Sequence, residues 1–181
     1  MSTKLIQDQS YEEIRAVVAF FEKITAVEQS SQPLLPELLM GLKRRGYGEG
    51  YLMPLGGHYE EIDQDNPVLT AKREGKEESG LLGANSMVAA KIIITIINER
   101  KKLLIDVVLF TNWAGTIKEL NDDDEFYWLK FIPYNEIRWP ELLPREKDWM
   151  DQVFVHHQPS LVKITCGKNR NEVINFEIFP L

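Results

Sequence analysis

Apolar residues fall along this chain in short runs separated by polar or glycine-rich punctuation, which predicts several strands and few helices. The first run carries two patterns at once. Ser10 and Glu13 have capping-box spacing, and Ile14, Val17, Val18 and Phe21 recur at helical intervals. Yet Val17 to Phe21 is also an unbroken apolar stretch suited to a buried strand, so the local pattern leaves both open. Gln29 to Pro36, rich in serine, glutamine and proline, predicts a loop. Leu38 to Lys43 is a short apolar segment. A turn-rich connection at Gly46, Gly48 and Gly50 leads from it to a strand at Tyr51 to Leu55, which Gly56-Gly57 ends.

A helix is predicted after Asn66, whose side chain can cap it, with Pro67 at the first position, where a missing donor costs nothing. It should stop near Ser79, with Gly80 as the C-terminal glycine. Ala89 to Asn98 and Leu103 to Thr111, rich in isoleucine and valine around a polar turn, predict a hairpin. Phe126 to Phe131 is a further strand, Asn135 to Trp139 a short turn, and Arg145 to Val155 a helix starting after Pro144. Leu161 to Cys166 and Val173 to Phe179 close the chain as two strands around Gly167 to Asn171. Such an order implies an α+β fold, an α/β/α sandwich with a mixed sheet packed between helices.

At 181 residues the chain can bury one sizeable core. Residues 1–181 read as one domain, with residues 1–13 a candidate N-terminal extension. A net charge of -7 argues against binding to a nucleic-acid polymer, which needs a broad basic face, so a phosphate-bearing ligand would need local neutralisation. Cys166, the single cysteine, excludes an internal disulfide and suits a reducing compartment. No apolar run approaches the roughly 20 residues that span a bilayer, and Met1 to Ser10 hold no signal-peptide segment, so a cytoplasmic protein without a membrane partner is expected. The sequence sets no oligomeric state.

Within the predicted central helix, Glu74, Glu77 and Glu78 sit at i, i+3 and i+4 and share one face. Like charges at this spacing destabilise a helix by about 0.2 to 0.5 kcal/mol per pair. A hard divalent cation such as magnesium, which takes carboxylate and phosphate oxygens, gives the cluster a reason and lets an acidic protein hold a polyphosphate. Spacing alone equally describes a solvated surface helix. Gly75 costs that helix about 1 kcal/mol relative to alanine and falls in register with Val68 and Ala71, placing it where backbone packs closely.

Gly57 followed by Arg73-Glu74-Gly75-Lys76-Glu77-Glu78-Ser79-Gly80-Leu81 resembles the signature of the Nudix hydrolase family: a glycine, then Arg-Glu-aliphatic-x-Glu-Glu-x-Gly-aliphatic. Asp65 stands where the pattern has a glutamate, two extra residues separate it from Gly57, and Gly75 replaces an aliphatic residue. From Leu38 to Phe179 the chain is similar to the branch of oxidised-purine nucleoside triphosphatases that sanitise nucleotide pools, at Leu39 to Gly50, Ile105 to Phe110 and Trp139-Pro140. The resemblance implies the Nudix fold, with a strand at Arg15 to Glu22.

The resemblance further implies a pyrophosphohydrolase that converts a nucleoside triphosphate to a monophosphate and pyrophosphate. Glu74, Glu77, Glu78 and the Gly57 carbonyl would hold magnesium, with manganese as a substitute, and Arg73 would orient the carboxylates. Glu77 or Glu125 would take the proton of the attacking water, Asp123 and Asp124 being rivals of Glu125. The substrate-binding set is Lys43, Met53, His58, Ile105, Trp139, Glu141 and Leu142. Within it Met53 stands where an asparagine reads the base, and Leu142 where a second acid follows Glu141. A Nudix hydrolase of a nucleotide sugar or dinucleotide, and a catalytically silent nucleotide-binding module, are the alternatives.

Overall fold

The computed structural model describes residues 10–24, 35–168 and 171–181. The predicted loop at Gln29 to Pro36 lies outside them up to residue 34, as do residues 169 and 170 of the last predicted turn.

The first apolar run is a strand, β1 (Glu12–Lys23). It runs parallel to β6 (Lys101–Ala114) from Glu12 to Phe21, and its other edge takes β4 (Leu55–His58) at Ala16 to Ala19 and β2 (Glu37–Lys43) at Glu22 and Lys23. Val17, Ala19 and Phe21 enter one core and Phe20 the opposite one, with Ala16 and Val18 packed beside it. Burial on both faces selects the strand over the helical pattern, because a helix here would forfeit both ladders. Glu12 and Glu13, placed by sequence in an extension, already belong to this strand opposite Lys101 and Lys102; Glu13 meets Lys102 at 3.4 Å.

The sheet order is β3-β2-β1-β6-β5-β8-β9, with β4 beside β1 and β7 beside β2. The remaining strands are β3 (Leu52–Met53), β5 (Leu82–Ile96), β7 (Phe126–Pro133), β8 (Ser160–Cys166) and β9 (Val173–Pro180). Pairing is parallel for β1 with β6 and β5 with β8 and antiparallel elsewhere, so the sheet is mixed. The predicted hairpin is β5 and β6, although β5 begins seven residues early because Leu82 to Val88 continue the ladder against Val108 to Ala114.

Gly56 and Gly57 do not end a strand, as the sequence implied. Pro54 interrupts it instead, and both glycines lie inside β4, paired with Val18 and Val17. A side chain at Gly56 (φ 151°) would overlap the Val17 carbonyl, so this close approach admits only glycine.

The helix α1 (Pro67–Ser79) has the predicted ends. The Asn66 side chain accepts from the N–H of Val68 at 2.9 Å and of Leu69 at 3.3 Å, and Gly80 closes it at φ 83°. It packs through Ala71 and Gly75 on the sheet face holding Phe21, Leu55 and Phe110. The opposite face is covered by α2 (Glu146–Met150), which continues as a π-helical turn at Asp151–Val155. Trp149 and Phe154 meet Phe20 edge-on there, with ring centroids 6.1 and 5.1 Å away. The result is the expected α/β/α sandwich. Among the described residues no helix is long and apolar enough to cross a membrane.

Candidate active site

The α1 carboxylates do not share one environment. Glu74 and Glu78 turn inward, with side chains 12% and 8% exposed, whereas Glu77 is 59% exposed. Gly57 makes room for Glu74: a Cβ there would stand 2.5 Å from the carboxyl carbon. Glu78 accepts the Gly56 N–H at 2.8 Å. The two glycines of β4 thus form the floor on which the helix carboxylates rest.

Arg73 joins these groups. Its Nη1 donates to Glu74 at 2.8 Å and Glu77 at 3.2 Å, and its Nη2 to the His58 carbonyl at 2.8 Å. The acid that holds the guanidinium from behind is Asp63, which accepts from Nε at 3.2 Å and from Nη2 at 2.9 Å. Asp63 is buried, and the Arg73 hydrogen bond holds its carboxyl below the usual range. Asp65, aligned by sequence to this place, is instead an exposed surface residue bonded to Arg15 at 2.6 Å. The two extra residues therefore follow the acid, where Gln64 and Asp65 both adopt positive φ in the turn entering α1. Counting forward from Gly57 rather than back from Arg73 reveals Asp63.

Lys43, on β2, reaches Glu78 at 3.4 Å and makes a short contact with Glu125, while its ammonium lies 4.4 Å from the Phe126 ring centre. The loop carrying Glu125 is tied down on several sides. Lys118 donates to the Glu77 carbonyl and to Asp124, both at 2.7 Å, and Arg44 binds the Asn121 carbonyl and Asp122, each at 3.0 Å. Asp124 is thereby committed to the loop, and Glu125 is the residue of the acidic run that reaches the cluster.

Burial pushes the Glu78 carboxyl up to about 7, against the opposing effect of Lys43, and burial likewise raises Glu74. Glu74 and Glu125 each raise Glu78 further by their charge, so the cluster holds more negative charge than its cations neutralise. An all-oxygen donor set with this surplus suits a hard divalent cation. Among the described residues no three acidic, histidine or cysteine side chains enclose an ion by themselves, and Lys43 and Arg73 occupy carboxylate oxygens.

The candidate substrate residues separate into groups. Met53, Ile105 and Leu142 line one small apolar pocket of about 30 Å³ together with Trp149 and Met150. Trp139 lines an adjoining open bowl of about 450 Å³, and Leu142 and Leu143 belong to both. Glu141 pairs with Arg138 at 2.9 Å and contributes to the lining of neither. The His58 ring faces the Arg15 carbonyl at 3.3 Å, and Lys43 lies in the carboxylate cluster rather than in the pocket. A residue not singled out from the sequence, Glu146, lines both pocket and bowl. Met53 and Gly57 are four residues apart, at most about 13 Å along extended chain at roughly 3.3 Å per residue, so β3 and β4 connect the pocket to the carboxylates.

No family model matches the chain. Among solved structures, the MutT protein of Bacillus halodurans is similar with a TM-score of 0.65 and 16% identity, over 91% of this chain and 97% of that one. A MutT Nudix hydrolase of Burkholderia pseudomallei aligns with a TM-score of 0.58 and 15% identity, over 78% and 98%. The Nudix domain of Shewanella oneidensis NrtR, solved with ADP ribose, gives 0.60 and 12%, over 85% and 94%. With the α/β/α sandwich and its glycine-floored carboxylate helix, these likenesses show that the chain has the Nudix fold.

Proposed function

We propose that this chain is a magnesium-dependent pyrophosphohydrolase of the Nudix type, cleaving nucleoside triphosphates, oxidised purine forms among them, to monophosphate and pyrophosphate. The observation that carries the reading is the convergence of Glu74, Glu78 and Glu125 above Gly56 and Gly57, braced by Asp63 and Arg73. Glu74, Glu77, Glu78 and the Gly57 carbonyl are the groups to hold magnesium or manganese, which when bound would neutralise phosphate charge and polarise the phosphoryl oxygens.

The chain's own contributions follow from its contacts. Arg73 fixes Glu74 and Glu77, and Asp63 fixes Arg73, so the carboxylates are oriented before substrate arrives. Glu77 or Glu125, both partly open to solvent, accepts the proton of the attacking water. Lys43 brings a positive charge to the same cluster. Met53, Ile105 and Trp139 present apolar surface to the base.

The test is a panel of normal and oxidised nucleoside triphosphates, nucleotide sugars and dinucleotides, assayed with magnesium and with chelator, alongside Glu78→Gln. Release of pyrophosphate and a monophosphate, abolished by chelator and by the substitution, supports the proposal; turnover indifferent to either overturns it. Product identity separates a triphosphatase from a hydrolase of other diphosphate derivatives. The occupation of carboxylate oxygens by Lys43 and Arg73 favours a second reading, a silent nucleotide-binding module, for which nucleotide would bind in calorimetry without product.

A further inference from the structure

Glu146 is the first residue of α2 and lines both the apolar pocket and the bowl, at the place where the two adjoin. The pocket wall beside it is Met53, Ile105, Leu142, Trp149 and Met150, and apart from Tyr47 no other residue of that lining carries a hydroxyl, amide or charge on its side chain. Neighbouring cations are engaged elsewhere. Arg145 bonds Asp148 at 3.1 Å and lies over Phe176, and Lys147 pairs with Asp151. Among the described residues no cation pairs with Glu146.

The second observation is the Trp149 indole N–H, which is buried and among the described residues completes no well-formed hydrogen bond, the neighbouring Glu146 carboxyl being the acceptor it acts on. A buried donor without a full hydrogen bond is destabilising, because it has given up water for nothing of equal strength. An acid and an indole donor held side by side in an apolar wall are unfavourable for folding, where leucine and phenylalanine would pack without penalty. The arrangement makes sense as a hydrogen-bonding edge kept for a ligand.

We propose that Glu146 is the specificity-determining residue of the base pocket, its carboxyl pairing with the edge of a heterocycle that presents a hydrogen-bond acceptor beside a donor. This rests on the proposed nucleotide-hydrolysing site for the identity of the ligand. Burial pushes the Glu146 carboxyl up to about 8, opposed only by the Trp149 indole, so at neutral pH it is mainly the neutral acid. A neutral acid offers one O–H donor and one carbonyl acceptor, matching an acceptor–donor edge in a two-bond pair. The Trp149 N–H can donate to the same carboxyl and fix its plane. Glu146 would thus supply from α2 the polar contact that Leu142 and Glu141 do not: Leu142 is apolar, and Glu141 is turned to Arg138.

The test is binding without turnover. Guanosine monophosphate, its N1-methyl derivative and ribose 5-phosphate are titrated by calorimetry in chelator against the wild type, Glu146→Gln and Glu146→Leu. Glutamine carries the same donor–acceptor pair as the neutral acid, whereas leucine fills the pocket without it and should preserve folding, checked by thermal unfolding. We expect Glu146→Leu to weaken guanosine monophosphate about 10- to 100-fold. Glu146→Gln should stay within about threefold of the wild type, and the N1-methyl derivative should bind the wild type as weakly as the unmethylated form binds the leucine variant. Unchanged affinity of a folded Glu146→Leu, a loss for glutamine as large as for leucine, or no base-dependent binding by the wild type overturns the proposal. Because no hydrolysis is read, Glu146-dependent binding by a protein that fails the turnover panel retains this inference while sinking the enzymatic one.

Discussion

Asp63 receives the Arg73 guanidinium through both Nε and Nη2 while being almost wholly buried, and Asp65, two residues on, meets Arg15 at the surface. The pair couples the turn before α1 to the carboxylates on it. Removing one partner of a buried ion pair costs about 3 to 5 kcal/mol, whereas an exposed pair contributes about 0 to 1. Asp63→Asn should therefore lower the unfolding free energy by several kcal/mol and reduce turnover. Asp65→Asn should stay within about 1 kcal/mol; denaturant unfolding of both variants checks this, and equal effects would refute the distinction.

Lys43 lies between Glu78 and Glu125, and its side chain is only 8% exposed. Lys43→Met leaves two acids without their cation. Without divalent metal the variant should melt lower than the wild type, and magnesium should raise its melting temperature by more than it raises the wild type's. A thermal scan with and without magnesium reads both numbers, and an identical metal response in the two proteins would contradict the shared role of lysine and metal.

At Gly75 two effects oppose. A Cβ would stand 2.6 Å from Phe21 Cζ, overpacking that costs about 1 to 3 kcal/mol, against a gain of about 1 kcal/mol in helix propensity. Gly75→Ala should be net destabilising, and Phe21→Leu in the same chain should relieve it. A double-mutant cycle that shows no coupling between the positions would exclude the contact as the cause.

Glu146 also sets a pH dependence of stability. Its carboxyl is raised from 4.5 to about 8, so between those values the unfolded chain has lost a proton that the folded chain retains. Stability from this group is fully present below about 4.5 and is lost as pH rises, at about 1.4 kcal/mol per pH unit, until the folded group itself ionises near 8. Glu146→Gln should flatten that part of the profile. Denaturant midpoints from pH 5 to 8 measure the slope, and parallel wild-type and variant curves would rule the contribution out.

The legibility of the chain followed how local each cause was. The limits of α1 are set by Asn66, Pro67 and Gly80 within the segment itself, and all three act as their chemistry predicts. The β5 and β6 hairpin likewise announces itself in β-branched residues around a polar turn. The first strand did not, because a five-residue apolar run fits either structure until neighbours bury both its faces. Asp63 was missed because a two-residue insertion shifts the count from one end of the motif and not the other, and only the Arg73 contact tells which acid is enclosed.

By itself, then, the sequence determined the mixed-sheet sandwich, the capped helix and the row of glutamates on it, since these depend on periodicity and on residues a few positions apart. The tertiary structure alone decided which glutamates turn inward, that Lys43 and Glu125 join them, that Glu141 faces away, and that Glu146 comes to the pocket edge. Those outcomes depend on contacts between segments far apart in the chain, Lys43 and Glu125 being separated by 82 residues. Burial and charge act through space, and distance along the chain does not encode them.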